Sequence, residues 1–122
     1  MSKKVLIVDD SKTIRQQVRF TLEKSGFTVV EADDGANGIK VLAENPDVNV
    51  IISDVNMPNM NGLEMVEAIK QNGQHPNLPI VMLTTEGNAD LIARAKNAGA
   101  KGWLVKPFQP ENLVAAVTKL AG

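Results

Sequence analysis

The sequence predicts an α/β fold, a single doubly wound sheet of five parallel strands with helices on both faces. Two observations carry this expectation. Four short apolar runs, Val5-Leu6-Ile7-Val8, Val50-Ile51-Ile52, Ile80-Val81-Met82-Leu83 and Trp103-Leu104-Val105, are rich in β-branched residues and do not alternate with polar ones. Strands buried on both faces read this way. Between the runs lie stretches with apolar residues at helical spacing, and regular alternation of strand and helix implies parallel pairing through crossover helices.

The first strand follows Met1-Ser2-Lys3-Lys4 and ends at Asp9-Asp10, two carboxylates that interrupt the apolar run before a secretion signal could form. Ile14, Val18 and Leu22 mark the first helix, and Gly26 stands where a helix C-terminal cap is needed. Thr28-Val29-Val30 is a weaker second strand, bounded by Gly26 and by Asp33-Asp34-Gly35. Ile39, Leu42 and Ala43 suggest the second helix. After the third strand, Asn61 with Glu64 three residues on resembles a capping box, opening a helix that carries Leu63, Val66 and Ile69. Leu91, Ile92 and Ala95 indicate a fourth helix, closed by Gly99. Pro110 suits the first turn of the last helix, which presents Leu113, Val117 and Leu120.

The chain of 122 residues is the size of one compact domain, taken as residues 1–122, with 43% apolar and 22% charged residues. Thirteen basic against 14 acidic residues leave no excess of positive charge to draw it to nucleic acid or an anionic membrane. With no cysteine, disulfides and thiolate metal sites are excluded. No apolar run approaches the ~20 residues of a membrane-spanning helix. A cytoplasmic protein is the expectation.

In an open parallel sheet the functional crevice forms beyond the carboxyl ends of the strands. Four of the five ends carry groups capable of chemistry: Asp9-Asp10, Asp54, Thr84-Thr85 and Lys106-Pro107. Taken singly, such an aspartate is commonly a helix cap, the threonine a turn former and the lysine a solvated charge. Three carboxylates on one rim, however, repel one another unless a cation offsets them. Oxygen donors without histidine or cysteine favour Mg²⁺, Mn²⁺ or Ca²⁺ over zinc. Mg²⁺ typically takes one or two carboxylates together with phosphate and water, which suits a half-open site meeting a phosphoryl group. Lys106 and Thr84 are then placed to hold phosphoryl oxygens.

Asp9-Asp10, Asp54 within Ser53-Asp54-Val55-Asn56-Met57-Pro58, Gly62, Thr84 and Val105-Lys106-Pro107-Phe108 follow one another in order along nearly the whole chain. Together they resemble the receiver domain of bacterial response regulators, especially the stand-alone, chemotaxis-type (CheY-like) receivers. The resemblance implies a flavodoxin-like (βα)5 topology with strand order 2-1-3-4-5. It makes Asp54 the nucleophile that takes a phosphoryl group from a phosphohistidine on a histidine kinase. Mg²⁺ would be held by Asp10, Asp54 and the backbone carbonyl of Asn56, with Asp9 assisting through metal-bound water. Lys106 would neutralise charge on the phosphoryl oxygens, and Thr84 would donate its hydroxyl to one of them. The aromatic residue at position 103 would rotate into the space Thr84 vacates. A cis Lys106–Pro107 peptide is also implied, and Asn56 and Glu86, both polar, imply rapid self-dephosphorylation.

Three positions depart from the usual pattern of that family. Trp103 replaces a tyrosine or phenylalanine, Thr85 is bulkier than the usual small residue, and Val55 stands where the enteric chemotaxis protein has tryptophan. His75 is expected in solvent after the third helix, with no phosphodonor role. The methionines are read as core or loop packing, with Met57 and Met60 beside Asp54.

The expected activity is that of a phosphoacceptor with Mg²⁺-dependent autophosphorylation and autodephosphorylation, not of an enzyme. With the sequence ending at Gly122, directly after the last helix, no DNA-binding effector is expected and output is expected by protein contact; a monomer is also expected. A flagellar motor switch protein is the first candidate target, and a histidine phosphotransfer protein in a phosphorelay the second. A haloacid-dehalogenase-like phosphatase would have a second aspartate where Asn56 stands. A flavodoxin-like electron carrier would not place Asp9-Asp10 where a flavin phosphate sits.

Overall fold

The computed structural model describes residues 3–73, 75–85 and 89–121. Strands and helices alternate along it: β1 (Lys4–Val8), α1 (Lys12–Lys24), β2 (Thr28–Ala32), α2 (Gly35–Glu44), β3 (Val50–Ser53), α3 (Gly62–Asn72), β4 (Ile80–Thr84), α4 (Ala89–Ala98), β5 (Gly102–Val105) and α5 (Pro110–Ala121). The strands form one parallel sheet in the order β2-β1-β3-β4-β5, as the family resemblance implies.

β1 lies between β2 and β3, so that Leu6 is paired with Val30 on one side and Ile51 on the other. Val5, Leu6, Ile7 and Val8 have no exposed surface. Burying each such side chain stabilises the fold by about 1.5–3 kcal/mol. Period-two alternation sends Leu6, Val8, Ile51, Ile80 and Met82 to one face, against Leu42 of α2, Leu63, Val66 and Ile69 of α3, and Ala95 of α4. Val5, Ile7, Ile52, Val81 and Leu83 face the other way, against Val18 and Leu22 of α1 and Leu113 and Val117 of α5. Two cores back to back explain why these strands are apolar without alternation.

The helix ends follow from local chemistry. Ser11 caps α1 by accepting from the Ile14 amide, and Gly26 leaves the helix with φ 94°. Both halves of the Asn61–Glu64 capping box are formed at the start of α3. Gly38 lets α2 approach both α3 and the sheet, because a Cβ there would lie 2.7 Å from Met65 Sδ of α3 and 3.1 Å from Val8 Cγ2 of β1.

Three expectations need correction. β5 is not buried on both faces: Gly102, Trp103 and Leu104 are half-buried and Val105 is 52% exposed. It is an edge strand paired only with β4. Of the three residues that mark α2, Leu42 is buried and Ile39 packs against the core, but Ala43 is exposed; Gly35 and Gly38 are the other buried positions of this helix. His75 is half-buried rather than solvated, and it lines a small cavity with Ile39, Leu42 and Ile69. Met57 and Met60 are half-buried and pack against the core. Among the described residues no helix is long and apolar enough to cross a membrane.

Candidate phosphoacceptor and metal site

β1 and β3 are neighbours, so their carboxyl ends bring Asp9 and Asp54 side by side. The Asp9 amide donates to the carbonyl of Ala32 at 3.1 Å and the Asp54 amide to that of Val8 at 2.9 Å, carrying the sheet ladder up to both residues. Asp9 is fully buried and Asp54 nearly so, whereas Asp10 points into solvent. One carboxylate oxygen from each of Asp9, Asp10 and Asp54 can be chosen so that all lie within 4.8 Å of one another. The clustering expected of the three acids is therefore present.

A cation already lies among them. Lys106 Nζ donates to Asp9 Oδ2 at 2.7 Å and to Asp54 Oδ2 at 3.3 Å. Lys106 reaches that position from the end of the edge strand: its amide donates to the carbonyl of Thr84 at 2.8 Å, and its peptide bond to Pro107 is cis. The other oxygens of the two carboxylates are held by backbone, Asp9 Oδ1 by the Ser11 amide at 2.9 Å and Asp54 Oδ1 by the Val55 amide at 2.7 Å. In this arrangement Lys106 is engaged with carboxylates rather than poised in open space for phosphoryl oxygens.

Electrostatics follow this geometry. Burial pushes the Asp9 carboxyl above the ordinary carboxylate range, a rise only partly offset by Lys106 and the Ser11 amide and augmented by the charge of Asp54. For Lys106, burial alone would lower the pKa, but Asp9 and Asp54 together raise it above the usual lysine value. The ammonium therefore stays charged at neutral pH.

Arg15 was not singled out by the sequence. Its Nη1 donates to the carbonyl oxygen of Asp9 at 2.6 Å, while its Nε pairs with Glu31 Oε1 at 3.0 Å. It thus ties the turn after β1 to β2. An arginine one turn into the helix that follows an aspartate pair would have been the only signal, and by itself it is weak.

Thr84 ends β4 and is fully buried. By strand register Met82 is opposite Trp103 and Thr84 opposite Val105, so Thr84 and Trp103 occupy the same sheet face on adjacent strands. Trp103 is half-buried, and its Nε1 is inaccessible with no hydrogen-bond acceptor among the described residues. Asn56 lies exposed in the loop after β3, and Thr85 is exposed beyond β4. Glu86, named with Asn56 in the expectation about phosphate lifetime, lies outside the described residues.

Gly62 completes the site. A Cβ at this position would fall 2.0 Å from the carbonyl oxygen of Asp54, so only hydrogen fits there. The loop between Asp54 and α3 can close this tightly because residue 62 is glycine.

Residues 5–118 match the model of the response regulator receiver domain. This chain belongs to that family. The receiver is 42% identical over 111 residues to a chemotaxis protein CheY homolog of Campylobacter jejuni, covering 90% of this chain and 85% of that protein. A solved structure of Vibrio cholerae chemotaxis protein CheY4 superposes with a TM-score of 0.92 at 44% identity, over 98% of this chain and 99% of that one. A complex of CheX with CheY, BeF₃ and Mg²⁺ from Borrelia burgdorferi contains a chain similar to this receiver, at 28% identity and TM-score 0.88, over 96% of this chain and 87% of that one. The receiver is a signalling module, and neither the phosphatase nor the electron-carrier reading is favoured.

Proposed function

We propose that residues 1–122 act as one receiver unit of a chemotaxis response regulator, taking a phosphoryl group from a histidine kinase onto Asp54. The observation that carries this reading is the convergence of Asp9, Asp10, Asp54 and Lys106 at the carboxyl ends of β1, β3 and β5. The names of the Campylobacter and Vibrio relatives support the chemotaxis assignment.

An Asp54 carboxylate oxygen attacks the phosphorus of a phosphohistidine, the P–N bond breaks, and the imidazole leaves with its electron pair and takes up a proton. Most of the catalytic work in such a transfer is positioning and charge stabilisation. Lys106, held between Asp9 and Asp54, is placed to turn its ammonium towards the arriving phosphoryl oxygens. The Thr84 hydroxyl, at the end of the adjacent strand, is the natural donor to another. Asn56 stands two residues after Asp54 and carries no ionisable proton, so an acid–base turnover of phosphate esters is not supported.

The donor set suits Mg²⁺, since it consists of carboxylate oxygens, and Asp10, Asp54 and the carbonyl of Asn56 would hold it with Asp9 behind them. One carboxylate oxygen from each of Asp9, Asp10 and Asp54 lies within 4.8 Å of the others, which gathers the acidic donors such an ion would use. Bound there, the ion supplies positive charge to the phosphoryl oxygens.

Output is by protein contact, with a flagellar motor switch protein as the target. The half-buried Trp103 and the exposed Val105 on β5 lie on the surface that Thr84 can influence. The test of the acceptor is Asp54→Asn incubated with acetyl phosphate and Mg²⁺. Mass spectrometry should show a phosphoryl adduct on the native chain and none on the variant; equal labelling would place the acceptor elsewhere. Capture of the switch protein only in the presence of beryllofluoride tests the output.

A further inference from the structure

The loop from Val55 to Asn61 leads from Asp54 to α3 and carries Asn56. It is pinned at its base, where the Gly62 amide donates to the Val55 carbonyl at 2.9 Å. At its tip the backbone turns sharply, with the Met60 amide reaching the Pro58 carbonyl at 2.7 Å. Asn59, inside that turn, has φ 66°, the sole positive φ of a non-glycine residue among those described. Asparagine is among the few residues that visit the left-handed region, and here a side-chain contact holds it there.

That contact comes from another loop. Asn59 Nδ2 donates to Asp34 Oδ2 at 2.8 Å. The other oxygen of Asp34 accepts from the Asn37 amide at 2.8 Å, capping α2. Beside it, the Gly35 amide donates to the Met60 carbonyl at 2.9 Å, and a Cβ on residue 35 would lie 2.7 Å from that same oxygen. Asp34 is 5% exposed and does not belong to the cluster of Asp9, Asp10 and Asp54. Each of its oxygens is thus engaged, one with its own helix and one with the loop that leaves the phosphoacceptor.

We propose that Asp34 is a positioning residue for the phosphoryl and metal site, latching Asn59 so that the 55–61 loop holds the Asn56 carbonyl where a cation can use it. The inference rests on the reading of Asp54 and its neighbours as a Mg²⁺-dependent phosphoacceptor. Two residues separate Asn56 from Asn59, and one of them is Pro58, whose ring fixes φ. A shift at the latch therefore has little slack in which to dissipate before it reaches Asn56. Hydrogen-bond acceptors set behind a metal's own ligands typically govern its affinity in this way.

Two substitutions separate the latch from the helix cap. Asp34→Ser keeps a side-chain oxygen for the amide of Asn37 but is too short to reach Asn59. Asn59→Gly accepts the left-handed backbone and removes the donor. Mg²⁺ titrations of the full chain, followed by melting temperature and by Trp103 fluorescence, should show each single variant binding about tenfold more weakly. The double variant should be no weaker than either single, and melting temperatures without divalent cations should stay close to that of the native chain. Variants that bind Mg²⁺ like the native chain, or losses that add, would overturn the latch. A native chain with no Mg²⁺ response would instead overturn the underlying reading of the site, and the latch with it.

Discussion

Gly62 lies so close to Asp54 that a Cβ on it would stand 2.0 Å from the Asp54 carbonyl oxygen, well inside any tolerable contact. Gly62 is also the first residue of α3, where alanine is intrinsically the better helix former by about 1 kcal/mol. The two effects have opposite signs. Because the obstructing atom is backbone and cannot rotate away, Gly62→Ala is expected to destabilise the fold by about 3 kcal/mol and to displace Asp54. Urea denaturation gives the sign directly, and a stabilised variant would mean that the loop relaxes freely.

Burial raises the pKa of Asp9, so the folded protein holds that proton more tightly than the unfolded chain does. In the pH range just above the ordinary aspartate value of about 3.9, the folded state therefore binds more protons, and stability falls as pH rises. Above the folded pKa the deficit is constant. Asp9→Asn cannot ionise and keeps an oxygen for the Ser11 amide, so it should be more stable than the native chain at neutral pH without divalent cations. The gain should vanish below about pH 4. A variant less stable at pH 7 would show that the ion pair with Lys106 outweighs the cost of burial.

Mg²⁺ should stabilise the native chain by relieving repulsion among the three carboxylates. At about one hundred times its dissociation constant the gain is ~2.7 kcal/mol, which for a domain of this size corresponds to a rise in melting temperature of about 10 °C. Asp10 is the exposed member of the three and so can be changed without disturbing the core. Asp10→Ala should abolish most of the rise in a thermal melt.

Trp103 has a buried indole nitrogen without an acceptor among the described residues. An unsatisfied buried donor costs about 1–3 kcal/mol. Trp103→Phe removes that penalty while losing some buried ring area, so its stability should lie within about 1 kcal/mol of the native chain. A loss of several kcal/mol on denaturation would imply that the indole fills its site too well for its N–H to matter. Because the ring is already half-buried, beryllofluoride should shift its emission only modestly to the blue, and Thr84→Ala should remove even that shift.

β1, β3 and β4 were legible because a strand covered on both faces must be apolar at every position. Trp103-Leu104-Val105 has the same texture, yet β5 sits at an edge, and nothing in a three-residue run distinguishes edge from centre. The order of strands came from family resemblance, since alternation alone fixes parallel pairing but not neighbours. Asp9, Asp10 and Asp54 were legible as chemistry because three acids at strand ends are costly without a purpose. The bond between Lys106 and Asp9 was not, because it joins residues 97 apart. Asn59 follows Pro58 in a turn-forming sequence, which is compatible with a left-handed residue but does not reveal its partner. That partner, Asp34, reads in the sequence only as part of the boundary after the second strand.

The distance along the chain between Lys106 and its carboxylates also bears on how the protein comes into being. β1, β2 and β3 are contiguous both in sequence and in the sheet, so a growing chain can assemble Asp9 beside Asp54 from its first half. The ammonium that partly offsets them arrives 97 and 52 residues later, at the end of an edge strand that pairs only with β4. A nascent or C-terminally truncated receiver would therefore hold its acids together with their repulsion unrelieved. Once the last strand is in place, the Lys106 ammonium offsets part of that repulsion.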